Sequence, residues 1–337
     1  MAHKWTRDPC ILGDSFELYT SAESDSKEEV SKTAMFRNWN LLFGKIRRTT
    51  YSLLRRIELA LTWRWKRAMY SLRIGWAQLS ILLPLIPRPR PHALPETLVV
   101  SLTSYPPRFP TLAKTLRSLL RQTIRPDRMV LWIAHADFEL LPQEVLDLQS
   151  RGLEIRLTED RRSYKKILPA LDAFPAAFIC TADDDMYYWP TWLEELVDGV
   201  EEGGSIVPCH RALEIAFDSE GRLKSYLEWD LDVVRREESE RFFAVGVGGI
   251  LYPPGILNHD ATDRDFALTL CPFEDDVWLF WMARRNGARY KTIGHHRAFL
   301  NWRGSQEQGL WEENQKGRSD VQIRRLIDKY GFPGHPV

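Results

Sequence analysis

Short apolar segments alternate with helical segments through the middle of the chain, and this alternation constrains the fold more than any other feature. The apolar segments lie at 98–102, 128–133, 153–157 and 178–181, and helical spacing follows at 112–120, 142–150 and 164–174. Strands that alternate with helices at this spacing form a mainly parallel sheet with helices on both faces. We therefore expect an α/β domain over residues 96–337, with ligands bound beyond the carboxyl ends of its strands.

A run of three acids, Asp183, Asp184 and Asp185, directly follows the fourth apolar segment. Adjacent carboxylates repel one another and are costly to bury unpaired, which argues against a purely structural role. In extended backbone, side chains two residues apart point the same way, so Asp183 and Asp185 can share one cation. Their oxygen ligands suit Mg²⁺ or Mn²⁺, ions that commonly bridge carboxylates to a diphosphate. The alternative is an acidic turn that caps a helix beginning near Pro190.

A second acidic run, Glu274, Asp275 and Asp276, opens a helical segment that extends to Gly287. Carboxylates in a first helical turn complement the helix dipole, which is the simple capping explanation. Three in succession exceed what capping needs, and a rigid helix N-terminus holds a general base well. We therefore expect a catalytic role for this run.

Two weaker signals lie near these acids. Gly248 and Gly249 would let the backbone approach a ligand closely, although a bulged strand explains them as well. After the third apolar segment, Lys165 could meet a diphosphate, or could simply begin a solvated basic helix.

The order of strand, acid run, Gly-Gly segment and acid-led helix resembles the GT-A fold glycosyltransferases. The resemblance is to the family-2-like enzymes of bacterial surface polysaccharide synthesis and covers roughly residues 97–330. It implies a Rossmann-like fold, with Asp276 as the catalytic base and Asp275 as the acid before it. It also implies that Asp183 and Asp185 contact the donor ribose and a metal ion. A Q-x-x-R-W motif is missing from the sequence, which favours a single-sugar transferase over a processive polymerase.

The segment 101–108 resembles a subgroup of these enzymes in which the first strand leads into the nucleotide pocket. The residues predicted to bind the donor are Tyr105, Arg108, Asp160, Lys165, Asp183, Asp184, Gly248 and Gly249. The predicted metal ligands are Asp183, Asp185 and, as a late third ligand, His296, with His210 and His295 as other candidates.

The implied activity is transfer of a sugar from a nucleotide-diphosphate donor to an acceptor hydroxyl. The acceptor would be a glycan or a lipid-linked glycan, the transfer inverting, and the cofactor Mn²⁺ or Mg²⁺. A metal-dependent nucleotidyltransferase is the rival enzyme, although no Gly-rich phosphate loop with a lysine follows the first strand. A membrane-associated scaffold, in which the acids only cap helices, is the rival without catalysis.

A basic segment precedes the α/β pattern, at 36–95 after a mobile tail at 1–35. Between Arg37 and Arg90 twelve Lys or Arg accompany one acid, Glu58, for a net charge of +11. Apolar residues recur there at threes and fours from Leu42 to Leu83, before a Pro-rich linker that ends at Pro95. The segment is either a helix packed on the catalytic domain or an in-plane anchor on an anionic membrane surface.

The whole chain carries no net charge, so we do not expect it to bind nucleic acid. Its four cysteines show no C-x-x-C pair, and no run of about 20 apolar residues occurs. We therefore expect a cytoplasmic protein, peripheral on the inner face of the cell membrane if the basic segment is an anchor.

Overall fold

The computed structural model describes residues 55, 58–83, 89–231, 233–294, 298–305 and 317–334. The predicted tail, most of the basic segment before residue 58, His295 and His296 lie outside the described residues. The chain divides into two compact units, Met1–Ala68 and Met69–Val337. The predicted boundaries at residues 35 and 95 stay predictions.

An eight-stranded sheet forms the centre of the larger unit. Its strands are β1 (Leu98–Thr103), β2 (Arg128–Ala134), β3 (Leu153–Thr158), β4 (Phe178–Thr181), β5 (Ile206–Cys209), β6 (Glu238–Ser239), β7 (Ile250–Tyr252) and β8 (Arg289–Thr292). Their order across the sheet is β6-β8-β5-β7-β4-β1-β2-β3. The first four strands are parallel to one another, as are β5 and β8, whereas β7 and β6 pair antiparallel with their neighbours. The four strands predicted from the sequence are all present.

Helices cover both faces of the sheet. They are α1 (Phe109–Leu119), α2 (Gln143–Leu146), α3 (Leu168–Ala173), α4 (Trp192–Val197), α5 (Arg264–Leu270), α6 (Asp275–Arg285) and α7 (Ser319–Tyr330). Alternate strand residues serve two cores: Val99 packs with α3, α6 and α7, whereas Val100 packs with α1, α2 and α4. The α/β fold, with a mostly parallel sheet between two helical layers, is confirmed and agrees with a Rossmann-like GT-A domain.

Short elements complete the described structure. The small strands are Arg90–Pro91 with Ile124–Arg125, Met186–Tyr187 with Leu300–Asn301, and Ala212–Glu214 between Asp230–Leu231 and Phe242–Ala244. The 3₁₀ turns are Pro106–Arg108, His135–Leu140, Asp147–Arg151, Arg162–Lys166, Tyr226–Glu228 and His259–Thr262. Part of the predicted Pro-rich linker is therefore a strand.

One predicted helix, 164–174, is divided in two. A 3₁₀ turn occupies Arg162–Lys166, and α3 begins only at Leu168. Pro169 lacks a backbone N–H, so it cannot donate to a carbonyl one turn earlier and fits only near a helix start. The division fixes Lys166 at the end of a short turn, and the site depends on this residue.

A helix at 58–80 precedes the sheet. In its part within the larger unit, Ile74, Ala77 and Ile81 are buried in the same core as α1 and α4. Leu72 lies on the opposite side and is 66% exposed, and Trp76 is 62% exposed, although the edge of its ring contacts Tyr187. The apolar residues at 72, 76 and 79, part of the pattern from Leu42 to Leu83, are therefore mostly exposed. Among the described residues, no helix has the length and apolar character needed to cross a bilayer.

Candidate active site

The first acidic run lies beyond the carboxyl end of β4, where a parallel sheet of this kind binds ligands. The backbone N–H of Ala182 still bonds to Ser101, and the three aspartates then diverge to three different partners. Asp183 accepts from Lys166, Asp184 from Ser104 and Asp185 from Arg108.

Arg108 stands at the start of α1 and forms an ion pair with Asp185. Burial alone would lower the pKa of this guanidinium, but the charges of Asp185 and Asp184 raise it above its usual value. Tyr105 also bonds to Arg108. Two of the predicted donor residues, Tyr105 and Arg108, therefore lie beside the acid run, and their contact with the donor stays a prediction.

Lys166 joins the two acidic runs. Its Nζ lies 3.1 Å from Oδ1 of Asp183 and 3.2 Å from Oδ2 of Asp275, and its side chain is buried. Burial alone would lower the pKa of this ammonium, yet Asp183, Asp275 and Asp276 raise it well above its usual value. Two acidic runs about 90 residues apart in sequence thus share one buried cation.

Asp276 lies in the first turn of α6, where its Oδ2 accepts the backbone N–H of Gly246 at 2.7 Å. The residue is partly exposed, but burial within the surrounding protein desolvates its carboxylate. This desolvation and the charge of Asp275 raise the pKa of Asp276 to about 7, while Lys166 and the Gly246 N–H oppose them. A partly exposed carboxyl group with a near-neutral pKa suits general-base catalysis.

Asp184 is the second carboxyl group of the site with a pKa near neutral. Burial raises its pKa to about 7, against the hydrogen bond from Ser104 that lowers it. Its backbone carbonyl accepts from the hydroxyl of Thr115 on α1 at 2.9 Å. Asp184 is therefore anchored to α1 through Thr115 and to the loop after β1 through Ser104.

Glu274, the first acid of the second run, links the start of α6 to the start of α7. Its carboxylate accepts from Ser319 and Gln322 at the start of α7, and the Gln322 amide oxygen accepts the N–H of Phe273 at 3.0 Å. These bonds hold the segment that leads into α6. They also explain the stretch around Gln322, which the sequence alone leaves without a role.

The glycines between the acidic runs pack against side chains. A Cβ on Gly248 would come within 2.6 Å of the Phe299 ring, and one on Gly249 within 2.6 Å of Trp192. Both residues also have positive φ angles, of 103° and 101°. Packing is thus a sufficient reason for these glycines, and their contact with the donor stays a prediction. Gly246 is the glycine that borders the acids, since a Cβ there would lie 2.9 Å from Asp276.

Lys165 and Asp160, both predicted to bind the donor, bond to each other at 2.7 Å. Lys165 is 3% exposed, so its ammonium is already used within the protein. The sequence prediction chose Lys165, whereas the structure brings its neighbour Lys166 to the acids. Nothing in the apolar pattern distinguishes the two lysines, because their turn is too short to show a period.

The donor atoms at Asp183 and Asp185 fit a divalent cation, since both offer the oxygen ligands that Mg²⁺ and Mn²⁺ prefer. Asp183 is paired with Lys166 and Asp185 with Arg108. An ion at Asp185 would therefore have to share that carboxylate with Arg108 or displace the arginine. Within the described ranges no group of three or more His, Cys, Asp or Glu could hold a metal. His210 is buried beside Trp192, with its Nε2 3.0 Å from that residue's carbonyl oxygen. The predicted third ligand, His296, lies outside the described residues.

Three residues of the site were absent from the sequence prediction: Lys166, Gly246 and Ser104. The only signal for Ser104 was its place just beyond β1, where strand ends carry ligands. The signal for Gly246 was its membership of the same Gly-rich segment as Gly248.

No protein-family model matches this sequence, and no curated protein matches it. Among solved structures, the chain is similar to the crystal structure of GalNAc-T7 with UDP, GalNAc and Mn²⁺, with a TM-score of 0.40 and 13% identity over 70% of this chain. The match covers 50% of that protein, so this chain spans about half its length. A second similar structure is the inositol-1-phosphate CTP transferase from T. maritima, with a TM-score of 0.38, 10% identity, and coverage of 70% and 98%. Both of these similar proteins are transferases.

Proposed function

We propose that this chain is a glycosyltransferase that moves a sugar from a nucleotide-diphosphate donor to an acceptor hydroxyl. The observation that carries the proposal is the convergence of the two acidic runs on Lys166 beyond the carboxyl end of β4. One run, with Arg108 beside it, offers charged groups to a diphosphate. The other offers Asp276, a carboxyl group poised to exchange a proton near neutral pH.

The reaction is a single displacement with inversion. The acceptor oxygen forms a bond to the anomeric carbon while that carbon's bond to the diphosphate breaks, and the bonding electron pair leaves with the nucleoside diphosphate. Asp276 takes the proton of the acceptor hydroxyl. The N–H of Gly246 orients the carboxylate, and its fixed position at the N-terminus of α6 keeps it ready for the acceptor.

Charge develops on the departing diphosphate, and fixed cations stabilise it best in a partly desolvated site. Arg108 lies where it can exchange Asp185 for a phosphate oxygen, because the two side chains form a simple ion pair. A Mn²⁺ or Mg²⁺ ion held by Asp185 and Asp183 would add further positive charge against the same oxygens. The acceptor is a glycan or lipid-linked glycan of the bacterial surface polysaccharide type.

The products of the reaction test this proposal. The protein would be incubated with UDP-, GDP- and dTDP-sugars and CMP-sugars in Mn²⁺ buffer, with glycan and lipid-linked glycan acceptors. A glycosyltransferase releases the nucleotide and leaves the sugar on the acceptor. Release of pyrophosphate from a nucleoside triphosphate and a sugar phosphate would instead identify a nucleotidyltransferase. Binding of neither nucleotide nor cation would favour a scaffold.

We also propose that the segment before the sheet holds the enzyme on an anionic membrane surface. Leu72 and Leu79 form an exposed apolar stripe on the outer side of their helix, and Trp76 beside them is also largely exposed, although the edge of its ring contacts Tyr187. Earlier in the chain, residues 58–68 carry Arg64, Lys66 and Arg67 together with the exposed side chains of Leu61 and Trp65. Exposed Leu and Trp with basic neighbours are typical of helices that lie in the plane of a membrane.

Vesicle sedimentation tests the membrane proposal. We expect the protein to sediment with vesicles that contain anionic lipid, and high salt to weaken this, since each basic residue near such a surface contributes about 1 kcal/mol. The double variant Leu72→Ser/Leu79→Ser should bind about tenfold more weakly, because it removes apolar area from the bilayer contact. Substitutions are preferable to deletion of the helix, which would uncover the core around Ile74.

The matched control is Leu140→Ser/Leu227→Ser, which removes two leucines of similar exposure elsewhere on the sheet unit. Equal binding by both double variants would mean that the stripe does not face lipid. Absence of salt-sensitive binding by the unaltered protein would exclude the membrane proposal itself.

A further inference from the structure

Lys166 is held in place by its backbone as well as by its ammonium. Its carbonyl oxygen accepts the hydroxyl of Ser101 on β1 at 2.5 Å, and that hydroxyl in turn accepts the indole N–H of Trp132 on β2 at 3.0 Å. Two strands of the parallel sheet thus fix the end of the 3₁₀ turn that carries this lysine.

The same turn is fastened to the segment before α6. The hydroxyl of Tyr164 donates to the carbonyl of Cys271 at 2.7 Å, and Tyr164 is fully buried. The lysine therefore stands on a rigid support that joins the strand ends to the acid-led helix. A side chain placed in this way loses little further freedom when it orients its partners.

The ammonium faces more negative charge than one cation can neutralise. Its Nζ contacts the carboxylates of Asp183 and Asp275. It also lies near the carboxylate of Asp276, because a Cβ placed on Gly246 would be 3.2 Å from Nζ of Lys166 and 2.9 Å from Oδ1 of Asp276. Without a cation here, three carboxylates would repel one another, and the least solvated of them would take up a proton.

We propose that Lys166 is a positioning residue for the transfer step, holding the donor-side and acceptor-side acids together and keeping Asp276 in its carboxylate form. The inference rests on the proposed function, because it assigns the proton transfer to Asp276. Lys166 itself touches neither the acceptor nor the anomeric carbon in this assignment. It acts through the charge that it places beside the base.

The groups that surround Asp276 decide the sign of the test. The charged neighbours of Asp276 are Lys166, Asp275 and Asp183. Four tyrosines also lie nearby, and they stay neutral because their pKa values are raised: Tyr164, Tyr226, Tyr252 and Tyr290. Of these charged side chains, only Lys166 favours the carboxylate. A cation bound at Asp183 would act in the same direction, so all variants are compared at one fixed Mn²⁺ concentration. Removal of Lys166 should therefore raise the pKa of Asp276, and removal of Asp275 should lower it.

The experiment compares Lys166→Met, Lys166→Arg and Asp275→Asn with the unaltered enzyme. Turnover of the unaltered enzyme should rise with pH as Asp276 loses its proton. In Lys166→Met, the pH at which turnover increases should be higher by at least about one unit. Turnover should then be about tenfold lower at low pH and should partly recover at high pH. Lys166→Arg, which keeps the charge, should leave the rise in place, and Asp275→Asn should move it downward.

Lys165→Met is the matched control, since Lys165 is equally buried but pairs with Asp160. Whatever its effect on the donor KM, it should leave the pH of the rise unchanged. A loss of turnover in Lys166→Met that is the same at every pH would mean that the lysine only supports the fold, and would overturn the inference. If Lys166→Met does not fold, the downward movement in Asp275→Asn and the unmoved rise in Lys166→Arg decide the question.

A titration of the protein without added divalent cation, followed by carbon-13 NMR of the aspartate carboxyl groups, needs no turnover. Asp276→Asn identifies the signal of Asp276, whose midpoint should be higher in Lys166→Met than in the unaltered protein. An unmoved midpoint overturns the inference, even in an enzyme that transfers sugar. A protein that shows the moved midpoint but transfers no sugar would keep the electrostatic role of Lys166 and refute the proposed function.

Discussion

Asp276 binds its proton more tightly in the folded protein than an ordinary aspartate does, because burial and Asp275 raise its pKa from 3.8 to about 7. A raised pKa stabilises the folded state at low pH, and this contribution falls as the pH rises from about 4 through 7. At a pH above about 7, where Asp276 is ionised, this residue therefore lowers the stability of the folded state. Residues retained against stability are often functional.

The residue-scale prediction is that Asp276→Asn lowers turnover by at least about 10²-fold, because it keeps the shape of the side chain but removes its basicity. Donor affinity should remain nearly unchanged, since the predicted donor contacts belong to the first acidic run. Steady-state kinetics with both substrates would measure the two effects separately. The variant should also lose the rise of turnover with pH that the ionisation of Asp276 produces.

Asp275→Asn is the neighbouring control for this prediction and should reduce turnover less at neutral pH. A dead Asp275→Asn beside an active Asp276→Asn would move the base by one residue. Activity in both would leave helix capping as the role of the run, and the base would have to lie in another loop.

At the scale of elements, the helix at 58–80 shows how one apolar pattern can conceal two faces. Ile74, Ala77 and Ile81 recur at three and four residues, and so do Leu72, Trp76 and Leu79. Both sets satisfy helical periodicity, so the sequence could not say which one the sheet unit would bury. Exposure distinguishes them, because Ile74 is 2% exposed and Leu72 is 66% exposed.

The element-scale prediction compares Ile74→Ala with Leu72→Ala. Removal of the buried isoleucine side chain should lower the free energy of unfolding by about 2–4 kcal/mol, because it leaves a cavity. Removal of the exposed leucine side chain should change it by less than about 0.5 kcal/mol. Urea denaturation of both variants would measure the difference. Equal values would contradict the assignment of the packed face.

At the scale of the whole molecule, the sheet brings distant segments to one place. Arg108 follows β1, Lys166 follows β3, Asp183 follows β4 and Asp276 lies in the first turn of α6, yet their side chains meet beyond the same strand ends. Carboxyl ends of parallel strands share one edge of a sheet, so loops that are far apart in sequence become neighbours.

The whole-molecule prediction concerns ligand-dependent stability. A nucleotide-sugar donor at 100 times its dissociation constant should stabilise the folded state by about 2.7 kcal/mol, which corresponds to a Tm rise of roughly 4 °C for a chain of this length. We expect the rise to be larger with Mn²⁺ present and the Mn²⁺-dependent part to vanish in Asp185→Ala. Thermal unfolding with each donor, with and without Mn²⁺, would measure this. An unchanged Mn²⁺ effect in Asp185→Ala would contradict its assignment as a metal ligand.

The sequence by itself determined the α/β fold, the first four strands and the places of both acidic runs. Those features depend on local physics: strand and helix periods are visible over ten residues, and a run of carboxylates cannot be buried without partners. The helix led by Asp275 was equally visible, because its acids and its apolar run are contiguous in sequence.

Only the tertiary structure decided which partners those acids take. Lys165 and Lys166 are adjacent and chemically alike, and a break before Pro169 turns one toward Asp160 and the other toward Asp183. Gly249 likewise has a packing reason that the sequence does not show, because a Cβ there would meet Trp192, which is 57 residues away. Such choices depend on the direction of side chains across strands and turns far apart in sequence, and that direction exists only after the sheet has formed.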